Sequence, residues 1–210
     1  MNKKSGQNSL GLDACFEDEP NPIVLFKKWF AVAEKSEIND PNALSLATSS
    51  SSGVPSVRMV LLKGLSEKGF VFYTNFNSSK GSDLKHNPKA SMCFHWKSLR
   101  RQIRVTGKAE VVTDQEADQY YKSRAYGSRI GAWASSQSQV MKNRNEFLDK
   151  IKTYEKKYPN ENKVPRPPHW SGWRVEPNTI EFWLEIKNRI HERLNYKKDN
   201  GKWKREILYP

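Results

Sequence analysis

Between Pro22 and Lys35 the chain alternates apolar and polar residues with the period of an α-helix. The apolar positions recur every three or four residues, at Leu25, Phe26, Trp29, Phe30 and Ala33. This spacing puts them on one side of a helix, and proline suits a first helical turn. We therefore expect a helix whose apolar face lies in the core. Residues 1–20 show no such period, and we expect a mobile arm there.

From Ala43 onward the pattern changes to short apolar and aromatic runs separated by turn residues. The predicted strands are ALSLAT, VPSVRMVLLK, FVFYT, ASMCFHW, RQIRVTGKAEVV, GWRVEP, TIEFWLEI, NRIHERLNY and KWKREILYP. Helices are predicted up to His86, after a capping box at Thr113 and Glu116, and over residues 138–157. Many strands with a few inserted helices indicate a mainly β fold with α decoration, built on an antiparallel barrel.

Length and composition limit the kinds of protein this chain can be. Its 210 residues suit one domain, which we place at residues 21–210 after the arm. The 36 basic and 23 acidic residues give a net charge of +13, which favours polyanions or phosphorylated small molecules as partners. A modest apolar fraction of 36% that is rich in aromatic residues favours a homodimer, in which further surface is buried between subunits.

Several protein classes are not supported. The two cysteines, Cys15 and Cys93, lie far apart without a CxxC motif, which argues against a disulfide framework or a cysteine zinc site. The four histidines lack metal-ligand spacing, so no metal is expected. The chain has neither a membrane-length apolar run nor the apolar stretch of a signal peptide at MNKKSGQNSL, so we expect a cytoplasmic protein without a membrane partner.

The segment NRIHER carries one group of candidate binding residues. In a strand, Arg189, His191 and Arg193 would point to the same face. Two guanidinium groups beside an imidazole suit a planar anionic ligand. The alternative is a solvent-exposed barrel face in a basic C-terminal tail.

Arg58, Lys63 and Lys80 form a second group. Arg58 and Lys63 are an odd number of positions apart, so they face opposite sides unless the strand ends near Lys63. Lys80 follows small hydroxyl residues at a predicted helix start, where free backbone N–H groups attract a phosphate. The alternative for that segment is ordinary helix capping by Ser78 or Ser79.

A third group recurs every four residues, at Tyr120, Arg124 and Ser128. These residues would share a helical face, provided that Gly127 does not break the helix. A phenol, a guanidinium and a hydroxyl together would suit a phosphate. The alternative is surface packing of Tyr against Arg.

Six segments taken in order resemble the pyridoxine/pyridoxamine 5'-phosphate oxidase family, from about residue 21 to the end. They are RMVLLK, FYTN, RQIRVTGKAE, SRIGAWAS with the following Gln137-Ser138, WSGWRV, and EFWLEIKNRIHER. The resemblance implies an FMN-binding split β-barrel and a homodimer with FMN at the subunit interface. It also implies oxidation of pyridoxine 5'-phosphate or pyridoxamine 5'-phosphate to pyridoxal 5'-phosphate by dioxygen.

The resemblance also implies roles for individual residues. FMN would contact Arg58, Met59, Val60, Leu61, Lys63, Tyr73, Thr74, Lys80, Gln102, Gln137, Ser138, Trp183 and Arg193. The substrate phosphate would contact Lys63, Tyr120, Arg124 and Ser128. Arg189 and His191 would act at the pyridine ring as the catalytic pair, orienting it and assisting proton removal. All these side chains are expected to converge on one cavity.

The chain departs from the family pattern at two places. Ser79 stands where the family has an arginine in its phosphate loop, which implies weaker FMN binding. Residues 1–20 do not match the family's N-terminal arm, so no lid residues are assigned. Two alternatives stay open: a related flavin oxidase that acts on another aromatic substrate, such as a phenazine, and a basic nucleic-acid-binding barrel. The latter lacks a recognisable nucleic-acid signature.

Overall fold

The computed structural model describes residues 6–210. Over these residues the chain forms nine strands and five α-helices. In chain order they are α1 (Pro22–Ser36), β1 (Ala43–Ser49), β2 (Pro55–Leu61), β3 (Gly64–Ser66), β4 (Gly69–Asn75), α2 (Ser79–His86), β5 (Lys89–Trp96), β6 (Arg101–Val111), α3 (Asp114–Ser123), α4 (Tyr126–Ala134), α5 (Arg144–Lys157), β7 (Trp170–Leu184), β8 (Glu192–Asp199) and β9 (Lys202–Ile207).

The strands form one antiparallel sheet in the order β2-β1-β5-β6-β7-β4-β3. Strand β7 is the longest and organises the rest. It pairs with β6 along almost its whole length, with β4 through its first half and with β8 through its second half. Strand β9 then pairs with β8 through the tight turn at Asn200-Gly201, where both residues have positive φ. The predicted mainly β fold with helices as decoration is confirmed.

Helix α1 packs its apolar face into the core of the sheet, as the sequence predicts. Asn21 caps the helix by accepting a hydrogen bond from the backbone of Ile23. The Phe26 ring has edge contacts with both Phe70 and Phe94, at centroid distances of 5.0 Å. Most of the predicted stripe is fully buried, while Phe30 is partly buried against it.

Residues 6–20, in the segment expected to be a mobile arm, pack on this core. Phe16 is fully buried, and the Trp29 indole Nε1 donates to the Cys15 carbonyl at 2.7 Å. The Asp13 amide donates to the Glu192 carboxylate at 2.7 Å. Residues 1–5 lie outside the described range, so the division at residue 20 stays a prediction.

Three elements differ from the sequence prediction. The helix expected over residues 138–157 begins at Arg144, because Asn143 provides its N-cap. An unpredicted helix, α4, precedes it. The segments GWRVEP and TIEFWLEI form the single strand β7, because a register shift against β6 at Thr106 and Gly107 accommodates the extra residue without ending the strand.

The predicted NRIHERLNY strand is wrong at its start. Asn188 and Arg189 both have positive φ, at 59° and 63°, which makes a tight turn, and β8 begins only at Glu192. Arg189 and His191 therefore do not share a strand face with Arg193. Period-two spacing cannot detect this, because it assumes extended backbone throughout and the turn is set by positive φ angles.

We expect Phe26→Ala to destabilise the protein strongly, because it removes a ring packed among several aromatic side chains. The free energy of unfolding should fall by about 3–5 kcal/mol. Val32→Ala is the matched control, since Val32 lies on the same helix but is 42% exposed, and it should cost less than about 0.5 kcal/mol. Urea unfolding followed by tryptophan fluorescence measures both, and equal losses would contradict the assigned packing.

Candidate functional site

Lys80 is a buried cation at the start of α2. The Ser78 side chain caps this helix, and Lys80 Nζ donates to Thr74 Oγ1, Ser78 Oγ and Gln137 Oε1 at 3.1–3.2 Å. Among residues 6–210 no carboxylate lies within ion-pair distance of this ammonium. Burial and then the charge of Arg58 lower the pKa of Lys80. A buried cation held only by neutral oxygens suits an anionic ligand.

Strand β2 ends at Leu61, which resolves the odd spacing between Arg58 and Lys63. Arg58 donates to Thr48 Oγ1 and Ser56 Oγ at 2.7 Å and lies 3.7 Å from the Asp83 carboxylate. Lys63 follows the strand, where its backbone N–H donates to Val71. Because Lys63 lies beyond the end of β2, the alternation of side chains along that strand does not apply to it.

Three aromatic rings stack beside Lys80. The Tyr73 ring lies 4.0 Å from the Tyr120 ring and 5.3 Å from the Trp170 ring, measured between centroids, and all three are nearly parallel. Tyr73 pairs across the sheet with Gly172. A Cβ at Gly172 would lie only 2.8 Å from the Tyr73 ring, so glycine is required for the ring to lie over the strand.

Arg124 is a second cation close to this stack, and its side chain is half-buried. It follows the last residue of α3, and its guanidinium carbon lies 4.8 Å from the Trp170 ring centroid. Its Nη1 is buried without a hydrogen-bond partner in the described part of the chain, and burial lowers its pKa. The helix breaks at Arg124, so Tyr120 and Ser128 lie on the separate helices α3 and α4.

These side chains line two cavities that share Tyr73, Thr74, Arg124, Gln137 and Trp170. One is about 260 Å³ and the other about 400 Å³. Of the residues assigned from sequence, the two cavities bring together Met59, Val60, Leu61, Lys63, Tyr73, Thr74, Lys80, Tyr120, Arg124, Ser128 and Gln137. We call this set the Lys80 half-site. Ser138 lines a third cavity, which also includes Gln137.

Arg58 lines neither of the two cavities. The other assigned residues form a second cluster, which we call the His191 half-site. Gln102, Trp183 and Arg193 lie opposite one another on β6, β7 and β8. The His191 ring lies 4.6 Å from the Trp183 ring, and Arg189 is exposed in the preceding turn.

The His191 ring is oriented by the backbone. The Ile186 N–H donates to His191 Nδ1 at 3.2 Å. Because that nitrogen acts as an acceptor, the neutral ring carries its proton on Nε2. His191 therefore presents an N–H donor, with its acceptor nitrogen already engaged.

Glu181 holds Arg193 of the His191 half-site in place. Its buried carboxylate accepts hydrogen bonds from Arg193 Nε at 2.8 Å and from Arg104. Burial alone would raise the pKa of Glu181, but the two guanidinium groups outweigh burial and lower it. Arg193 also donates to the Tyr209 carbonyl at 2.9 Å, so its guanidinium is held on two sides.

Strand β7 keeps the two half-sites apart. Gly172, beside Tyr73, and Trp183 are 11 positions apart on this strand, which corresponds to roughly 35 Å in extended structure. Neither cavity of the Lys80 half-site is lined by Arg189, His191 or Arg193. The expectation that all assigned residues converge on one cavity is therefore wrong for a single chain.

Other candidate chemistry receives little support from the structure. Burial raises the pKa of the Cys93 thiol, which disfavours the reactive thiolate. Within residues 6–210 no three acidic, cysteine or histidine side chains cluster as a metal site. In the same range, none of the helices has both the length and the apolar character needed to span a membrane.

Sequence reasoning missed Trp170. Its side chain lines both cavities of the Lys80 half-site and contacts Arg124. The residue opens the WSGWRV segment, whose aromatic character was apparent. Its proximity to Arg124, 46 positions earlier, depends on pairing between distant strands.

Two family models match the chain. One, described as "Pyridoxamine 5'-phosphate oxidase", matches residues 32–158. The other, described as "Pyridoxine 5'-phosphate oxidase C-terminal dimerisation region", matches residues 170–210. Together they include both half-sites, which agrees with the resemblance noted in the sequence.

Two curated proteins are similar over almost the whole chain. The pyridoxine/pyridoxamine 5'-phosphate oxidase of Pelagibacter ubique (strain HTCC1062) is 59% identical over 211 residues and covers 100% of both chains. The protein of the same name from Bartonella quintana (strain Toulouse) is 52% identical and covers 97% of this chain and 99% of its own.

Solved structures confirm the predicted split-barrel fold. PhzG from Burkholderia lata 383, in complex with tetrahydrophenazine-1-carboxylic acid, has a TM-score of 0.88 and 30% identity, over 94% of this chain and 96% of that one. A pyridoxamine 5'-phosphate oxidase-related, FMN-binding protein from Nostoc punctiforme has a TM-score of 0.73 at 17% identity, over 91% of this chain and 100% of that one. At that identity the second comparison bears on the fold alone.

We expect Glu181→Gln to destabilise the protein in a pH-dependent way. The pKa of Glu181 is lower in the folded than in the unfolded protein, so its ionised form stabilises the fold above the unfolded pKa. That contribution is lost as the pH falls through the folded pKa. The variant should lose about 2 kcal/mol at pH 7, and the difference from wild type should shrink in acid.

Urea unfolding between pH 3 and pH 7 tests this expectation. Glu176→Gln is the control, because Glu176 is an exposed carboxylate that pairs with Lys198, and such pairs contribute little. A loss for Glu181→Gln that stayed constant over this range would contradict the assigned ionisation.

Proposed function

The chain belongs to the pyridoxine/pyridoxamine 5'-phosphate oxidase family, and on that premise we propose that it oxidises pyridoxine 5'-phosphate and pyridoxamine 5'-phosphate to pyridoxal 5'-phosphate. FMN is the proposed cofactor and dioxygen the final electron acceptor. Hydrogen peroxide is released, and the amine substrate also takes up water and releases ammonia. The observation that carries this proposal is a pair of cations, the buried Lys80 and the half-buried Arg124, which line adjoining cavities beside a flat aromatic stack.

The residues around Lys80 fit the phosphate of FMN. Lys80 supplies a buried positive charge that no carboxylate of residues 6–210 pairs with, and Thr74 and Gln137 supply polar atoms at 3.1–3.2 Å from it. The other proposed contacts on this side are residues 58–61, Lys63, Tyr73 and Ser138. Bound FMN would supply a two-electron acceptor, a chemistry that protein side chains lack. With Ser79 in place of the family's arginine, Lys80 carries more of the charge compensation.

The substrate phosphate is assigned to Arg124, with Ser128, Tyr120 and Lys63. Arg124 Nη1 has no hydrogen-bond partner in the part of the chain that the structure describes, and a guanidinium binds phosphate oxygens through charge-assisted hydrogen bonds. These residues hold the non-reacting end of the substrate. The energy of that contact helps to fix the orientation of the pyridine ring.

Arg189 and His191 are assigned to the pyridine ring. Because His191 Nδ1 already accepts from Ile186, the neutral imidazole donates from Nε2. We therefore assign His191 an orienting hydrogen bond to the substrate and no role as proton acceptor. This changes the role inferred from the sequence resemblance, in which the pair also assisted proton removal.

A homodimer is proposed as the active form, with FMN between the subunits. Strand β2 lies at the edge of the sheet and exposes a row of apolar side chains at Val57, Met59 and Leu61. Such a row is typical of a surface that another chain covers. The roughly 35 Å between half-sites along β7 supports a site shared by two chains, in which one contributes Lys80 and the other His191.

A related oxidase that acts on phenazines is the second candidate. PhzG is similar in structure at 30% identity, whereas the family relatives reach 59% and 52%. The difference in identity favours the phosphorylated vitamers as substrates. Among other classes, a nucleic-acid-binding barrel would be colourless and would bind oligonucleotides in a salt-dependent way, whereas the proposed flavoprotein is yellow.

The direct test is oxygen consumption by the FMN-loaded protein. We expect turnover with pyridoxine 5'-phosphate or pyridoxamine 5'-phosphate and a kcat/KM at least about 100-fold lower for the unphosphorylated vitamers, because they lack contacts to charged groups. Tetrahydrophenazine-1-carboxylic acid serves as the alternative substrate. Turnover of that compound alone, or equal rates with and without the phosphoryl group, would overturn the proposal.

The shared site predicts complementation between two inactive variants. Arg124→Leu damages one half-site and His191→Ala the other, so each homodimer should have low turnover. When the two are mixed after reversible dissociation, random pairing gives about a quarter of the sites with both halves intact, and about a quarter of wild-type activity should return. If both halves came from one chain, the mixture would only average the two variants.

A further inference from the structure

Trp170 occupies a fixed position where the connector after α5 joins the sheet. It is 6% exposed, and as the first residue of β7 it pairs with Asn75 on β4. Its backbone N–H donates to Pro167 at 3.0 Å, and its carbonyl accepts from Arg166 Nη1 at 2.9 Å. The backbone that carries the indole is therefore held on both sides.

The indole contacts the proposed cofactor and substrate residues together. The Tyr73 ring lies parallel to it at 5.3 Å, with only 8° between the planes. The Arg124 guanidinium carbon lies over it at 4.8 Å, within the range of a cation–π interaction. Tyr121 packs edge-on against it at 5.1 Å.

Arg124 has few other restraints. No ion pair among residues 6–210 includes it, and its Nη1 has no hydrogen-bond partner there. A long, half-buried side chain that no ion pair holds would otherwise sample several rotamers. The aromatic faces of Trp170 and Tyr121 are the contacts that define where its charge lies.

We propose that Trp170 is a positioning residue for substrate recognition: its indole face holds the Arg124 guanidinium at the two cavities that Arg124 lines, where its charge remains available to the phosphoryl group of the substrate. This inference rests on the proposed function and adds to it a residue outside the set assigned from sequence. Trp170 acts through Arg124. Its removal should weaken recognition of the phosphoryl group while leaving the chemistry at the pyridine ring intact.

The role depends on an aromatic face, so the choice of substitution separates it from simple packing. Trp170→Phe keeps a face for the guanidinium, whereas Trp170→Leu keeps apolar bulk without one. Trp133→Leu is the control, because Trp133 belongs to the same aromatic cluster but lines neither cavity of the Lys80 half-site.

For the FMN-loaded protein, we expect Trp170→Leu to raise KM for pyridoxamine 5'-phosphate about tenfold with kcat within about twofold of wild type. Trp170→Phe should restore most of the affinity, and Trp133→Leu should leave KM unchanged. The rate with unphosphorylated pyridoxamine should not respond to Trp170→Leu. Equal losses with both substrates, or no recovery in Trp170→Phe, would overturn the inference.

A binding measurement provides a readout independent of turnover. Titration calorimetry with inorganic phosphate should show weaker binding to Trp170→Leu than to wild type, and binding to Trp170→Phe close to wild type. Equal phosphate affinity in all three proteins would overturn the inference, even if the wild type oxidises the vitamers. If the wild type oxidises neither vitamer, the proposed function fails, whatever the phosphate titration shows.

A double-mutant cycle covers the case in which Trp170→Leu folds poorly. Arg124→Lys keeps a positive charge but loses the planar guanidinium, so it should raise KM by itself. Adding Trp170→Met, a second replacement that lacks an aromatic face, to Arg124→Lys and to wild type measures the coupling between the two side chains. The inference requires the effect of Trp170→Met to be smaller when residue 124 is lysine, and strict additivity would contradict it.

Discussion

Positive charge that no carboxylate of residues 6–210 compensates is the constraint on which the Lys80 half-site depends. Lys80 is held by three neutral oxygens, and Arg124 lies against the face of an indole. Burial of a charge is costly unless another group compensates it, and in both places burial lowers the pKa of the cation. Anionic ligands would supply the missing compensation, so the residues that cost stability are the ones to which we assign specificity for phosphate.

Strand β7 determines how far the Lys80 half-site lies from the His191 half-site. One half of the strand supports Tyr73 and Trp170 through β4, and the other half supports Trp183 and Arg193 through β6 and β8. An extended strand cannot shorten, so a single chain holds its two half-sites apart. The exposed apolar row on β2 and the match to a dimerisation region both indicate that a second chain brings the two kinds of half-site together.

The two half-sites differ in how their charges are compensated. In the His191 half-site, Glu181 accepts hydrogen bonds from Arg193 and Arg104, so Arg193 is positioned before any ligand arrives. In the Lys80 half-site, neutral oxygens and aromatic faces hold the cations, and their charge remains available. This division suits a planar cofactor on a preformed surface and phosphate groups that bring their own negative charge.

The sequence alone determined the features that rest on local chemistry. The apolar period of α1, the capping box at Thr113 and the Asn200-Gly201 turn each depend on residues within a few positions of one another. They can therefore be recognised in the sequence. The order of the family motifs likewise identified the fold and the candidate residues.

Only the tertiary structure decided how those residues are distributed. The positive φ of Asn188 and Arg189 moved the start of β8, the pairing of β4 with β7 brought Trp170 to Tyr73, and the length of β7 separated His191 from Lys80. These outcomes depend on backbone dihedral angles and on pairing between distant strands. Neither produces a periodic pattern of apolar and polar residues, so the sequence did not predict them.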